Sequence, residues 1–437
     1  MTTFCPYCFS DKSFRQRLKE VRPEFPRSLK CDFHPNRSGL PAEAVAEIVD
    51  GVFREHFVIG DTDPVYDRDD DRPNWEQRGD PLDQLIDEIT SAESFEITEA
   101  LKDQLIEDDD ADPRDGEEPF YADDQLYAAF DLTWNPHSAA WTEFKKEVTH
   151  NRRFFSSLAV QRLDEIFRDI HFQSDQDGRQ VVYALLPDEK KNIYRVRQID
   201  VSEDRKKAAN NPAAELGVPP PRKRTAGRMN AAGVGAFYAS FDLKTCIAEI
   251  RPPVGSVIMG AAFELIRPIV VLDTTRFAKP IRNRSLFSPV FQERVHQWKF
   301  MKRFMNEISR PILPHDTNID YVPSQAVSEY IHSQLKVPRG KNKVGIDGII
   351  FASAQRPNAG LNIVLFGDAA QVEQVPGSDR PSSYEATNDD WTENWTEWKP
   401  KPSQPALRLV ANSVITRRIS SVEFDDDYYS EWDFEEE

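Results

Sequence analysis

Three cysteines and one histidine near the start of the chain have a spacing that is typical of metal ligands. Cys5 and Cys8 form a Cys-x-x-Cys pair, and Cys31 and His34 form a Cys-x-x-His pair after the intervening residues 9–30. Three thiolates and one imidazole suit a tetrahedral Zn²⁺ ion. Four protein ligands leave no open coordination position, so the predicted zinc is structural and not catalytic. Thiols without a metal are the alternative interpretation.

A second group of chemically capable residues lies in the later part of the chain. Arg228 belongs to the loop-like segment GRMN, Tyr238 to the strand-like segment AFYAS and Glu249 to the helical segment TCIAEIR. Ser353 follows much later, at the end of the apolar segment GIDGIIFAS. Taken alone, these residue types also fit a surface ion pair, a core tyrosine and a serine that caps a strand.

The order of these residues resembles the RES domain, a family named for an arginine, a glutamate and a serine. The three residues stand here in GRMN, IAEIRP and FASAQ, and the segment LNIVLF follows them. The blocks LGVPPP, VLDTT and YVPSQAVSEYI also occur in the family's order. Each block alone would be weak, but their order makes the resemblance specific. It runs from about Tyr194 to Phe366, which is under half of the chain.

The resemblance implies a fold similar to that of ADP-ribosyltransferases, with NAD⁺ as the substrate. Many RES proteins are toxins that deplete NAD⁺ by hydrolysis or phosphorolysis, and some transfer ADP-ribose to a protein. By analogy, this chain is expected to be an NAD⁺-consuming, toxin-like enzyme that cleaves the nicotinamide–ribose bond. An antitoxin protein is then a possible partner.

The resemblance also suggests a role for each residue. Loss of nicotinamide builds positive charge on the ribose, and Glu249 is the natural carboxylate to stabilise that charge. The guanidinium of Arg228 matches the pyrophosphate oxygens, and Arg195 is a second, weaker candidate for phosphate or ribose contact. Tyr238 is expected to stack on nicotinamide, and Ser353 to bond the ribose or position the attacking group.

Composition limits the classes of partner. The net charge of −19 and the pI of about 5.0 disfavour general binding to DNA or RNA, so no nucleic-acid partner is expected. The chain has four cysteines, far too few for a disulfide scaffold, which fits a reducing cytoplasm. No segment approaches the roughly 20 apolar residues that span a bilayer, so no membrane association is expected.

Element patterns predict an α+β protein whose C-terminal part, residues 185–370, is a mixed α/β domain, and this is the part that resembles the RES domain. Short β-rich segments and amphipathic helices alternate irregularly there. Cys246, in one of these helices, is predicted to be a core residue and not a nucleophile. Asp273 and Gln325 fall in family blocks but have ordinary capping explanations.

The rest of the chain is predicted as three segments. Residues 1–58 form the zinc-binding unit, and residues 59–180 combine acidic connectors with a helical bundle. The bundle includes a stretch with apolar positions at Phe144, Val148, Phe154, Phe155, Leu158, Leu163 and Phe167. Residues 371–437 are predicted to be a mobile acidic tail that could add a late pair of strands.

The N-terminal part is also similar to the zinc-bearing helical domain that precedes RES in some longer family members. Such domains are sometimes grouped with HEPN domains. This segment lacks a clear HEPN signature of an arginine followed closely by a histidine, so no nuclease role is assigned to it.

Three functions remain open at the level of sequence. The first is an NAD⁺ glycohydrolase or phosphorylase, and the second is an ADP-ribosyltransferase with a protein acceptor. The third is a non-catalytic interaction module built around the zinc unit. The sequence fixes neither the acceptor nor the oligomeric state.

Overall fold

The chain consists of two compact units in the computed structural model. The first unit comprises Met1–Asn135 and Asn283–Val295, and the second comprises Pro136–Arg282 and His296–Glu437. The structure describes residues 2–66, 73–109, 119–129, 135–187, 192–282, 285–309, 317–356, 360–373 and 404–421. Most of the predicted mobile tail, residues 371–437, therefore lies outside the described residues.

The first unit combines four helices with short strands in the described residues. The helices are α1 (Lys12–Val21), α2 (Ala42–His56), α3 (Leu82–Thr90) and α4 (Phe95–Glu107). The strands are β1 (Thr3–Phe4), β2 (Leu40–Pro41), β3 (Phe57–Ile59), β4 (Thr62–Tyr66), β5 (Pro73–Gln77), β6 (Asp80–Pro81) and β7 (Leu126–Ala129). β1 pairs with β2, β4 pairs with β5, and β7 lies between β3 and β6.

The apolar faces of these helices meet in one core. Val45, Val49 and Phe53 of α2 are buried, as their helical spacing predicts. Leu85 of α3 and Leu101 of α4 join them. A 3.6-residue period places such side chains on one face of each helix, which explains their common burial.

The second unit contains most of the regular structure of the RES-like segment. Its helices are α5 (Pro136–Lys146), α6 (Ser157–Phe167), α7 (Ser202–Asn210), α8 (Pro212–Glu215), α9 (Leu243–Glu249), most of α10 (Phe291–Ser309) and α11 (Thr317–Ser333). Its strands are β8 (Val182–Leu185), β9 (Ile193–Gln198), β10 (Ala236–Ser240), β11 (Val257–Leu265), β12 (Ile269–Asp273), β13 (Lys336–Arg339), β14 (Asn342–Gly345), β15 (Gly348–Ala352), β16 (Leu361–Phe366), β17 (Leu407–Leu409) and β18 (Ile415–Arg418).

Nine of the described strands form one sheet. Its order is β17-β11-β9-β10-β16-β15-β12-β8, and β18 also pairs with β11. The β12–β15 pair is parallel, and the other neighbouring pairs are antiparallel. The predicted late segments thus form β17 and β18, each paired with β11 and not with the other. The unit is mixed α/β, as the sequence predicted.

Both faces of the sheet are buried. One face packs in a core that includes Phe144, Phe167, Phe304, Ile331 and Val364. The other packs in a core that includes Phe237, Phe263, Ile350, Ile363 and Leu407. Burial on both faces explains why segments such as GIIFA and NIVLF are almost continuously apolar. A polar side chain in these strands must find a partner, since water is excluded.

The helices predicted as one N-terminal bundle divide between the two units. α5 and α6 belong to the second unit, where Phe144 and Phe167 pack against the sheet. Phe154 and Phe155 were expected on the buried face of this stretch, and that expectation was wrong. They lie between α5 and α6, where Phe154 is 77% exposed and Phe155 is fully exposed. A turn of π-helix, Glu147–Asn151, ends α5 and breaks the helical period before them.

The acidic segments are not wholly irregular. Residues 59–80 were interpreted as a solvated connector, yet β4 and β5 pair in register from Thr62 opposite Gln77 to Tyr66 opposite Pro73. The two strands form a separate two-stranded sheet. The centre of the second acidic segment, residues 110–118, lies outside the described residues.

The packing predicts a large effect of truncating Phe263. This ring is fully buried and lies 5.1 Å, centroid to centroid, from the ring of Phe237. Phe263→Ala is expected to lower the free energy of unfolding by about 3–5 kcal/mol, because it removes buried apolar surface and leaves a cavity. Urea unfolding measures the change. The exposed Val254 provides a control, and equal effects of Phe263→Ala and Val254→Ala would contradict the placement of Phe263.

Candidate functional site

The predicted metal ligands come together in the first unit. One ligand atom from each of Cys5, Cys8, Cys31 and His34 lies within 4.8 Å of the other three. The sulfur–sulfur distances are 3.9 Å for Cys5 and Cys8 and 3.5 Å for Cys8 and Cys31. The Nδ1 atom of His34 lies 3.5 Å from the sulfur of Cys5 and 3.4 Å from that of Cys8. Thiolates about 2.3 Å from a tetrahedral zinc ion lie about 3.8 Å apart, so the donor set could hold one such ion.

Local turns bring these ligands into place. A short 3₁₀ turn over Pro6–Cys8 folds Cys8 back, so that its N–H donates to the carbonyl of Cys5 at 2.9 Å. The Nε2 atom of His34 lies 3.4 Å from a carboxylate oxygen of Glu93. A carboxylate at this position fixes the imidazole with Nδ1 towards the thiols. All three cysteines are buried and unbridged.

The second cluster is centred on Glu249, at the end of α9. Its Oε1 atom accepts a hydrogen bond from the hydroxyl of Ser353 at 2.6 Å and another from the side-chain amide of Asn362 at 2.8 Å. Two of the residues that sequence analysis selected are therefore in direct contact. Charge-assisted hydrogen bonds of this kind are the strong ones, and they fix the orientation of the carboxylate.

The position of α9 follows from its cap and its apolar face. The side chain of Asp242 accepts from the backbone N–H of Thr245 at 2.9 Å and so caps the first turn. Leu243 and Ile247 pack in a small cluster with Val196 and Ile258. The helix therefore lies against β9 and β11, and its last residue, Glu249, reaches the end of β15.

Ser353 is held by the chain that follows β15. Its hydroxyl oxygen accepts from the backbone N–H of Gln355 at 3.2 Å and of Arg356 at 3.1 Å. Gly360 is required beside it, since a Cβ there would lie 2.8 Å from the Cβ of Ser353. Arg356 also donates to the carboxylate of Asp242 at 3.1 Å, which joins this segment to α9.

The loop of Arg228 is fixed by Tyr238. The tyrosine hydroxyl accepts from the N–H of Met229 at 2.9 Å and donates to the Oδ1 atom of Asn230 at 2.7 Å. Burial raises the pKa of Tyr238. A Cβ on Gly227 would lie 2.7 Å from the tyrosine oxygen, so this close approach requires glycine.

Helix α11 holds the same loop from another direction. Ser324 donates to the carbonyl of Arg228 at 2.6 Å, and Gln325 donates to the carbonyl of Gly227 at 2.8 Å. The guanidinium carbon of Arg228 lies 5.8 Å from the ring centroid of Tyr321. Gln325, expected as a helix-start residue, thus lies inside α11 and supports the loop.

One face of the sheet carries both parts of this site. Tyr238 and Ser240 are two residues apart in β10 and therefore point to the same side. Ser240 is directly opposite Asn362 in β16, and its hydroxyl donates to the Oδ1 atom of Asn362 at 2.7 Å. Because Asn362 bonds Glu249, the face that carries Tyr238 also carries the carboxylate.

Arg195 is placed differently. Its neighbour Tyr194 is opposite Ser240, so the side chain of Arg195 starts on the other face of the sheet. It donates to the backbone carbonyl of Tyr238 at 3.2 Å, and its guanidinium carbon lies 4.7 Å from the ring centroid of Phe237. Burial lowers the pKa of Arg195 to about 10. These contacts fix β9 to β10, and they do not bring Arg195 to Glu249.

Sequence reasoning missed Asn362 and Ser240. The available signal was a single amide in the apolar segment LNIVLF, because a polar residue in a buried strand needs a hydrogen-bond partner. Cys246 behaves as predicted. Its buried thiol donates to the carbonyl of Tyr194 at 3.0 Å, and burial raises the pKa of Cys246 to about 11.

Comparison with known proteins identifies the segment that contains this second cluster. No curated protein matches the chain. Within the described residues, no helix has the length and apolar character needed to cross a membrane. RES domains are associated with NAD-related toxin function, so a match to this family indicates an NAD-related enzymatic role in general. The RES domain family matches residues 192–387 of this chain, a range that contains Arg228, Glu249 and Ser353.

Proposed function

We propose that the chain consumes NAD⁺ by cleaving the bond between nicotinamide and ribose, with water or phosphate as the acceptor. The observation that carries the proposal is the carboxylate of Glu249, held by Ser353 and Asn362 on the sheet face that also carries Tyr238. The match of residues 192–387 to the RES domain supports it. We also propose an ADP-ribosyltransferase-like fold for this domain, on the same resemblance.

The chemistry requires a fixed negative charge beside the ribose. The bond from ribose C1′ to the ring nitrogen breaks, and its electron pair leaves with nicotinamide. The sugar passes through a cationic state, which the carboxylate of Glu249 stabilises. C1′ then bonds to an oxygen of the acceptor, and a water acceptor releases one proton. Because the carboxylate is already oriented, it needs little reorganisation as charge develops.

The hydrogen bonds of the site refine the roles of Tyr238 and Ser353. The tyrosine hydroxyl is used in holding the loop at Met229 and Asn230, so its ring is the part that contacts nicotinamide. The hydroxyl group of Ser353 donates its hydrogen bond to the carboxylate of Glu249. In this proposal Ser353 positions the carboxylate.

Arg228 binds the pyrophosphate of NAD⁺ in this proposal. Its backbone is fixed by Ser324, and the residues beside it are fixed by Gln325 and Tyr238. A guanidinium on a fixed backbone can present two parallel donors to phosphate oxygens. The cationic side chain of Arg228 is then close to the ring of Tyr238, which we propose contacts nicotinamide.

The metal centre has a structural role in this proposal, and we assign Zn²⁺ to it. Three thiols and one imidazole fill a tetrahedral shell, so no position remains for a substrate. Burial of three thiolates without a cation would be costly, and a metal ion removes that cost. His34 is then oriented by Glu93, which acts as its outer hydrogen-bond partner.

Replacement of Glu249 tests the activity. Glu249→Gln keeps the size and removes the charge, so nicotinamide release is expected to fall by about 100-fold or more. Release from NAD⁺ is measured by chromatography, with and without phosphate. Glu264→Gln, at a half-exposed position of β11, is the control and should retain activity. Equal rates for Glu249→Gln and the wild type would exclude this role. Absence of release by the folded wild-type chain would exclude the proposed activity.

Replacement of Arg228 tests the pyrophosphate contact. Arg228→Lys retains the positive charge but loses the paired donors, so KM for NAD⁺ is expected to rise about tenfold, with a smaller change in kcat. Steady-state kinetics provide both constants. Arg222→Lys, at an exposed position in the preceding turn, is the matched control. An unchanged KM for Arg228→Lys would remove Arg228 from the binding site.

Replacement of a metal ligand tests the zinc site. Cys31→Ser is expected to abolish binding of about one zinc ion per chain and to lower the unfolding temperature, since the metal contributes folding energy. Elemental analysis and thermal unfolding measure the two effects. Cys246→Ser changes the remaining cysteine and should keep the metal. A wild-type protein purified without metal, or a Cys31→Ser variant that retains it, would contradict the assignment.

A further inference from the structure

The carboxylate of Glu249 is held through one of its two oxygens. Within the described residues, Ser353 donates to its Oε1 atom at 2.6 Å, and Asn362 donates to the same atom at 2.8 Å. Two donors that converge on Oε1 also fix the direction in which the second carboxylate oxygen, Oε2, points. Oε2 is then the oxygen that can meet the ribose.

The amide of Asn362 has only one orientation that fits its surroundings. An ionised carboxylate can only accept hydrogen bonds, so Asn362 must present its NH₂ group to Glu249. Its carbonyl oxygen then points away and needs a donor, because only 4% of the residue is exposed. Ser240 supplies that donor at 2.7 Å. With the amide reversed, two oxygens would face each other at Glu249.

The backbone gives this pair of residues a rigid support. Ser240 and Asn362 are directly opposite in the antiparallel pair of β10 and β16. Only 2% of Ser240 is exposed, and both strands have neighbours on each side in the sheet. Ser353, in contrast, follows the end of β15. Asn362 therefore contacts Glu249 from within a pair of strands, and Ser353 contacts it from the residue that follows a strand.

We infer that Asn362 is a positioning residue for Glu249 and that Ser240 fixes the orientation of its amide. This inference deepens the proposed function and rests on it. Neither residue needs to touch the substrate. Asn362 holds Oε1, so that Oε2 faces the ribose before NAD⁺ binds, and Ser240 acts only through Asn362.

Steady-state nicotinamide release by the full chain tests the inference. Asn362→Ala is expected to lower kcat by about 10- to 100-fold with little change in KM for NAD⁺, because a hydrogen bond to a charged group is lost while substrate contacts remain. Asn362→Asp keeps the volume and places a second carboxylate beside Glu249, so its loss in kcat should be larger. Ser240→Ala should have a smaller effect than Asn362→Ala.

The double variant separates positioning from simple packing. If Ser240 acts through Asn362, then Ser240→Ala should lower kcat no further in the Asn362→Ala background. Ser413→Ala is the matched control. It removes a serine hydroxyl that accepts from the N–H of Ala262 in the same sheet, away from Glu249, and should keep wild-type kcat.

Two outcomes would overturn the inference. One is wild-type kcat in Asn362→Ala and Asn362→Asp. The other is a fall in kcat that simply follows a fall in unfolding temperature across all variants, including Ser413→Ala. These results differ from a failure of the proposed function itself, in which the wild-type chain would release no nicotinamide and both proposals would fall.

Discussion

The hydrogen bonds to the carboxylate of Glu249 are the constraint on which the rest of the site depends. A charged oxygen between packed elements is costly unless donors meet it. Here the donors come from the residue after β15 and from the start of β16, while the carboxylate comes from α9. Three separate segments must therefore reach their final positions before the hydrogen bonds of this carboxylate can form. The apolar contacts of α9 with β9 and β11 make that arrangement possible.

The loop of Arg228 follows the same physical rule. Its backbone groups bond side chains from β10 and α11, so the loop is shaped by residues distant in sequence. Tyr238 joins the two parts, because its hydroxyl holds the loop and its strand carries Ser240 two residues later. A single strand thereby places the arginine loop and the supports of the carboxylate on one face of the sheet.

The first unit combines a cysteine cluster with an apolar core. Its three clustered cysteines lie among buried aromatic side chains, including Phe4, Phe9 and Phe14. Apolar packing alone leaves three thiols close together, whereas a metal ion would turn their proximity into a stabilising interaction. The unit also has an extended helical core in α2, α3 and α4. A metal bound by these residues would add to the stability that the apolar core provides.

The sequence by itself determined the residue types, the helical periods and the four candidate metal ligands. It also supplied the order of Arg228, Tyr238, Glu249 and Ser353, because these features are local or depend on order alone. The tertiary structure decided which elements cover which faces. In the structure, α5 and α6 belong to the second unit, and Phe154 and Phe155 are exposed. The side chain of Arg195 starts on the sheet face opposite Glu249. It also revealed Asn362 and Ser240 as partners, since strand register sets their contact. Register and long-range packing arise from all elements together, so no single segment of sequence encodes them.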